Sequence, residues 1–202
     1  MFTPIDPLGD LPAKGELVDA ADQCEDPTLM GTTQLQYVKA RYLSVNSEAG
    51  PSSMKRAVPR GYAHSPQGAI MAAINQMTYA MYAQGDEVGE EIDKTLWANV
   101  PMAQEDREFL GLNERGAVDT ARAQTLPGAS GYRVVSCAKD LVVVELAFSY
   151  DPSGMAAPID VFRLPMVWRK GDWWADLAGA NSETAVRPGV DSLDGFTLVE
   201  YQ

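Results

Sequence analysis

The chain lacks most of the residues that would announce a reaction. Among 202 residues there is one histidine, His64, and there are two cysteines, Cys24 and Cys137. The cysteines share no metal-type spacing, and with a single histidine no zinc site is expected. They read first as two buried thiols, with one disulfide the alternative in an oxidising compartment. No P-loop, nucleophile elbow or dinucleotide glycine fingerprint occurs, so no cofactor and no catalytic residue is assigned. No apolar run reaches the roughly 18 residues of a membrane span, and Met1–Pro7 has neither the basic nor the apolar part of a signal peptide. Basic charge is also scarce. Sixteen Lys and Arg stand against 28 Asp and Glu, a net charge of -12. Such a chain repels phosphate backbones, so nucleic acid is not an expected partner. The local cluster Lys55-Arg56 with Arg60 reads as a solvated turn.

What is present is an ordinary globular composition, 46% hydrophobic and 22% charged, with enough length for one domain and its core. Three regions follow. Residues 1–33 form an acidic, Pro- and Gly-rich arm in which Asp6, Asp10, Glu16, Asp19, Asp22, Glu25 and Asp26 face the single base Lys14. Residues 34–180 carry the periodic patterns of a single domain. Residues 181–202 are a tail rich in turn formers that ends in Phe196–Tyr201, a candidate short strand or docking segment.

Within the domain, Leu35–Val45 reads as one extended strand, aromatic and β-branched. A helix follows, with the strongest local signals in the chain. Ser65 is a good N-cap, and Pro66 falls at N1, where a missing N–H costs nothing. Ile70, Ala73, Ile74, Met77 and Met81 share one face. Gly68 and the alanines permit close approach, and Gly85 is a suitable stop. Asp86 to Pro101 reads as a second helix with Val88, Ile92, Leu96 and Trp97. Shorter helices are expected over 103–112 and 114–124.

Beyond Gly128 the period changes from 3.6 to 2. Strands are expected over Tyr132–Cys137, Leu141–Tyr150, Ile159–Trp168 and Trp173–Leu177. Pro165 marks an edge or bulge, and Arg169-Lys-Gly-Asp172 is a tight hairpin turn. Helices first and then an antiparallel meander predict an α+β fold, N-terminal helices packed on a curved antiparallel sheet, as in the nuclear transport factor 2-like cone.

The runs Glu48-Ala-Gly-Pro51 and Gly61-Tyr-Ala-His-Ser-Pro-Gln-Gly-Ala69, with Ala72-Ala73, resemble an uncharacterised domain family of actinobacterial plasmids and integrative conjugative elements. Its members carry a Gly-Tyr/Phe-Ala-His-Thr-Pro-x-Gly-Ala run before an alanine-rich helix. Ser65 replaces the usual Thr and keeps the cap. The resemblance implies a structural signature of Gly61, Tyr62, His64, Ser65, Pro66 and Gly68. It also implies a membrane-anchored full-length form, an extracytoplasmic address, and a non-enzymatic assembly role in a conjugation-type element.

His64 lies just outside the cap, where a ring bonded to backbone would fix the loop leading into the helix. The alternative is a small-molecule binder or a cone-fold lyase or isomerase, with His64 and Asp160 in an apolar pocket. Glu145 and Asp176 are lesser candidates, and Glu145, opposite the Val142/Val144/Leu146 face, is expected to be solvated. Trp168, Trp173 and Trp174 flank one hairpin. Trp173 and Trp174 point to opposite faces, so one of them is either a protein-binding anchor or covered by residues 181–202. The expected partners are proteins or further copies of the chain, with no insertion into a membrane.

Overall fold

A computed structural model describes residues 17–38, 41–82, 91, 97–98, 128–149, 159–176 and 186–202; of residues 41, 79–82, 97–98 and 186–189 it describes the backbone alone. These residues hold two β-hairpins, one bounded helix and a seven-stranded sheet. The first hairpin pairs β1 (Thr33–Val38) with β2 (Arg41–Asn46), and the second pairs β3 (Ser53–Lys55) with β4 (Val58–Arg60). Helix α1 (Pro66–Tyr82) follows. The large sheet contains β5 (Trp97–Ala98), β6 (Gly131–Ala138), β7 (Leu141–Ser149), β8 (Ile159–Arg169), β9 (Asp172–Asp176), β10 (Val186–Val190) and β11 (Thr197–Leu198). Its order is β11-β6-β7-β8-β9-β5, with β10 also paired to β8.

This corrects the expected fold. The chain is mostly β among its described residues, and it is not a layer of N-terminal helices on a cone-shaped sheet. Two hairpins precede the helix. Leu35–Val45 is not one strand, because it folds back on itself with Val38 opposite Arg41. Trp97, expected in a helix, lies in β5, parallel to β9 and opposite Ala175. Of the other helical expectations over 86–124, Glu91 is helical; the rest, the Gly85 stop, and the ends of two expected strands at Tyr150 and Leu177 lie outside the described residues.

The β-strand readings from residue 131 onward match the structure closely. Val142, Val144, Leu146 and Phe148 of β7 and Leu164 and Met166 of β8 face α1 and are buried in the main core. Pro165 has a clear reason to be tolerated. β7 runs along one side of β8, while β9 pairs residues 166–169 and β10 pairs residues 159–162 on the other. Pro165 falls in the gap between β9 and β10, where a strand proline removes no ladder bond. At the β8–β9 turn, Lys170 and Gly171 both have positive φ, 54° and 77°, the conformation of a two-residue hairpin loop that matches strand twist.

Helix α1 departs from a one-sided amphipathic pattern. Every described side chain from Gly68 to Thr78 is buried, as befits a helix enclosed by other elements. Two neighbouring amides join it to separate strands. Asn75 Oδ1 accepts from Ser44 N, and its Nδ2 donates to Ser44 O, both at 2.8 Å. Gln76 Nε2 donates to Trp173 O at 2.9 Å, and its Oε1 accepts from Ala175 N at 3.0 Å. Each amide therefore acts as a piece of strand backbone, satisfying edge groups that would otherwise be buried unpaired.

The two cysteines are bonded to each other, Cys24 to Cys137, with 5.7 Å between their Cα atoms. The reading as two separate buried thiols is thereby corrected. The bond fastens the acidic arm to β6. Between residues 17 and 32 the arm has no helix or strand, yet it is held at several points. Val18 N donates to Glu48 O, Leu29 N to the Tyr132 hydroxyl, and Thr32 N to Ser47 Oγ.

Candidate functional site

The signature loop sits where the arm, the β6–β7 turn and the β8–β9 hairpin meet α1. Its cap forms as its residue types require. Gly68 N donates to Ser65 Oγ at 3.1 Å, which satisfies one of the orphan donors of a helix N-terminus, and Ala69 N donates to Ser65 O as the first bond of the helix. Gly68 is there for space. A Cβ at that position would lie 2.0 Å from Ala63 O, so no larger residue fits while the loop folds back against the first turn.

The loop itself is clamped by Asp172. One carboxylate oxygen accepts from Gly61 N at 2.9 Å, and the other accepts from Tyr62 N at 3.2 Å and Trp173 N at 3.0 Å. Burial pushes the Asp172 carboxyl up, and the three N–H donors with the Arg60 charge oppose that, leaving it above its ordinary value. Trp173 completes the clamp by donating its indole N–H to Ala63 O at 2.9 Å. The Tyr62 hydroxyl accepts from Asn75 Nδ2 at 2.9 Å.

His64 occupies the outer end of this arrangement. Its Nε2 lies 2.9 Å from Asp140 Oδ1 and 3.2 Å from Lys139 O. Its ring stacks on Trp168 with centroids 4.1 Å apart and planes 6° from parallel, and meets the edge of Trp173 at 5.9 Å. Its backbone is engaged as well: His64 N donates to Asp19 Oδ1 at 2.6 Å, and Ala20 N donates to His64 O at 3.0 Å. The histidine therefore joins arm, loop and β6–β7 turn through its ring and both backbone groups.

The alternative pairing of His64 with Asp160 does not assemble. His64 stacks on Trp168, at one end of β8, and Asp160 stands opposite Phe148 at the other. Eight residues of strand at about 3.3 Å each put roughly 26 Å between those ends. Asp176 lies at the end of β9 beside β5.

Glu145 is the largest departure from expectation. It is fully buried, on the face of the sheet opposite α1. Arg133 of β6 and Arg163 of β8 stand directly across from it on either side. Arg133 Nε donates to Glu145 Oε2 at 3.0 Å and Arg163 Nε to Oε1 at 2.9 Å, each arginine adding a second bond through Nη2. Burial pushes the Glu145 carboxyl up, and the two guanidinium partners outweigh it, so it titrates below the ordinary range. The Phe196 ring lies under Arg133 at 4.6 Å. Parity alone placed Glu145 in water, because it does not show that two facing arginines and the tail would enclose it.

The tryptophans divide as their alternation requires, but neither Trp173 nor Trp174 is an exposed anchor. Trp173 is in the main core, and Trp174 is 7% exposed on the opposite face. Trp174 is covered by cations: Arg60, Arg169 and Lys170 lie over its ring at 5.7, 5.1 and 5.5 Å. The tail packs elsewhere on that face, with Val190, Leu193 and Phe196 against Ala147, Ile159 and Val161.

A shallow cleft of about 80 Å³ separates the arm from the first turn of α1, lined by Val18, Gln23, Met30, Glu48 and Gln67 among others. Among the described residues no group of three or more metal-ligating side chains occurs, and no helix is long and apolar enough to cross a membrane. Over residues 7–198 the sequence matches the family described as "Domain of unknown function (DUF8175)", and the chain belongs to that family. No curated protein and no solved structure matches it.

Proposed function

We propose that this family member is an extracytoplasmic, non-enzymatic interaction domain that serves a conjugative or other mobile element by binding proteins. The observation that carries the reading is the engagement of the signature loop inside the fold. His64, Ser65, Tyr62 and the Gly61 amide each bond another part of the same chain, so the most distinctive residues act in shaping the domain. A general base needs its acceptor aimed at a substrate proton, and the His64 ring is stacked on Trp168 and bonded at the β6–β7 turn instead. The Cys24–Cys137 bond supports an oxidising compartment, where structural disulfides persist. The sequence resemblance of residues 48–75 to domains of conjugative elements supports the mobile-element association.

The test is photo-crosslinking in the native cell. A photoreactive amino acid placed in turn at Met30, Leu141, Lys170 and Leu198, all exposed, is expected to give discrete protein adducts at one or more positions. Labelling by a membrane-impermeant thiol reagent only after reduction is expected for an extracytoplasmic disulfide. A chain that gives no adduct at any position is not an interaction domain, and free thiols in cells refute the address.

A further inference from the structure

Among the described residues, only half of the sheet face opposite α1 is covered. Its lower half carries Ala147, Ile159 and Val161 under the C-terminal tail. Its upper half presents Leu141, Val143, Pro165 and Val167 on two adjacent strands, with Val135 beside them on β6. Register fixes the contiguity: Val143 is opposite Pro165, Leu141 opposite Val167, and Val167 opposite Trp174. Val135 is 47% and Leu141 42% exposed, whereas a sheet face left to water is ordinarily polar.

In a chain of net charge -12, the described charges bordering this strip are more basic than acidic, the acids being Asp140 beside Leu141 and Asp176 two positions beyond Trp174. Arg169 and Lys170 stand over Trp174 at one border. At the other, Arg133 and Arg163 share the one carboxylate of Glu145, which among the described ion pairs leaves that group one positive charge in excess. The covered half shows what chemistry such a surface accepts. Residues 188–202 contain three acids, Asp191, Asp194 and Glu200, and no Lys or Arg. They seat Leu193 and Phe196 on the apolar positions, with the Phe196 ring beneath Arg133. The upper half repeats that combination of apolar centre and cationic border.

We propose that the Val135–Leu141–Val143–Pro165–Val167 strip docks an acidic segment of a partner protein, one that spaces apolar side chains between Asp or Glu as the chain's own tail does. The inference rests on the interaction reading above and names its surface and the chemistry of its partner. Apolar contacts at the centre supply the adhesion, and the rim charges select the sign of the partner.

The test uses the full chain and a fluorescent synthetic peptide of residues 188–202 as the probe, with a second peptide in which Asp191, Asp194 and Glu200 are Lys. The acidic peptide is expected to bind saturably, more weakly as salt is raised, and the basic peptide not to bind. Leu141→Lys, Val167→Lys and Lys170→Glu are each expected to weaken binding about tenfold or more without lowering the melting temperature; Lys170→Glu, at an exposed turn position, guards against loss of fold in the other two. Binding unaffected by these variants, including binding that merely displaces the native tail, overturns the proposal. So does equal binding of both peptides, binding of phosphatidylglycerol vesicles in place of the peptide, or self-association that Leu141→Lys abolishes. If cellular crosslinks form at other positions while the peptide fails here, the surface is wrong and the interaction reading stands. If no position crosslinks, the interaction reading itself fails.

Discussion

Replacing Asp172 with Asn probes the clamp on the signature loop most directly. The side chains are nearly the same shape, so space is conserved and only charge and acceptors change. The carboxylate receives three backbone N–H groups, from Gly61, Tyr62 and Trp173. The amide keeps one oxygen, which can still accept from Tyr62 and Trp173, and turns its NH2 toward the Gly61 N–H. One buried donor then loses its acceptor, at a cost of about 1–3 kcal/mol. The two surviving bonds lose their charge assistance, which roughly halves their strength. Removal of a poorly solvated charge offsets part of this. The net expectation at neutral pH is a loss of about 2–3 kcal/mol, or roughly 4–12 °C in Tm for a chain of this size.

The pH dependence supplies a second readout from the same variant. Asp172 titrates above its ordinary 3.8 in the fold, so the native state holds its proton more tightly than the unfolded state does. The stability it contributes is fully present below 3.8 and is lost as pH rises through the raised native value. The advantage of wild type over D172N, measured by urea unfolding at a series of pH values, therefore shrinks across that window and is level above it. A variant within about 0.5 kcal/mol of wild type at neutral pH would refute the clamp as described, and an advantage that grows as pH rises through the window would refute the raised titration of Asp172.

Three further expectations can be checked on purified protein. Reducing Cys24–Cys137 frees a loop of 113 residues, for which chain entropy gives about 4–5 kcal/mol. The arm can detach before the core opens, so amide exchange should rise first over residues 17–30, and unchanged exchange there would contradict the disulfide as its main fastening. Burial pushes the Tyr201 phenol up to about 12 from 10.0, against an opposing bond from Ser44. The unfolded chain thus ionises first between those values, and wild type should lose about 2–3 kcal/mol there relative to Tyr201→Phe in urea titrations. His64→Ala removes the stack on Trp168 and the bonds at the β6–β7 turn, and a Tm fall corresponding to about 1–2 kcal/mol is expected, with a change in tryptophan emission; a melt unchanged within error would deny His64 its structural role.

Local chemistry made part of this fold readable from sequence. The Ser65 cap, the Pro66 start, the Lys170-Gly171 turn and the alternation of β7 each depend on residues within a few positions of one another. What failed depends on distant partners. Leu35–Val45 has the composition of a strand, but composition does not say where a strand reverses. Glu145 has the parity of a solvated residue, and its burial is decided by Arg133, Arg163 and the tail. Asp172 read only as a turn residue because its acceptors serve Gly61 and Tyr62, more than a hundred positions earlier. The fold class was misjudged for a related reason: the two hairpins before α1 and the pairing of Trp97–Ala98 with β9 join segments that no local period connects. At the candidate site, the role of His64 was legible from its place beside the cap, while its partners Asp140, Lys139 and Trp168 were not.

The presence of just two cysteines has a consequence for how the chain matures. Within this sequence Cys24 and Cys137 can pair in only one way, so between them there is no scrambled isomer to correct. Cys24 emerges from the ribosome long before Cys137, and it must stay a thiol until β6 is made. During that interval the Cys24 of another chain is one partner it can meet. Covalent dimers joined through Cys24 are therefore the expected by-product of crowded synthesis, and their abundance should follow expression level and not sequence changes elsewhere in the domain.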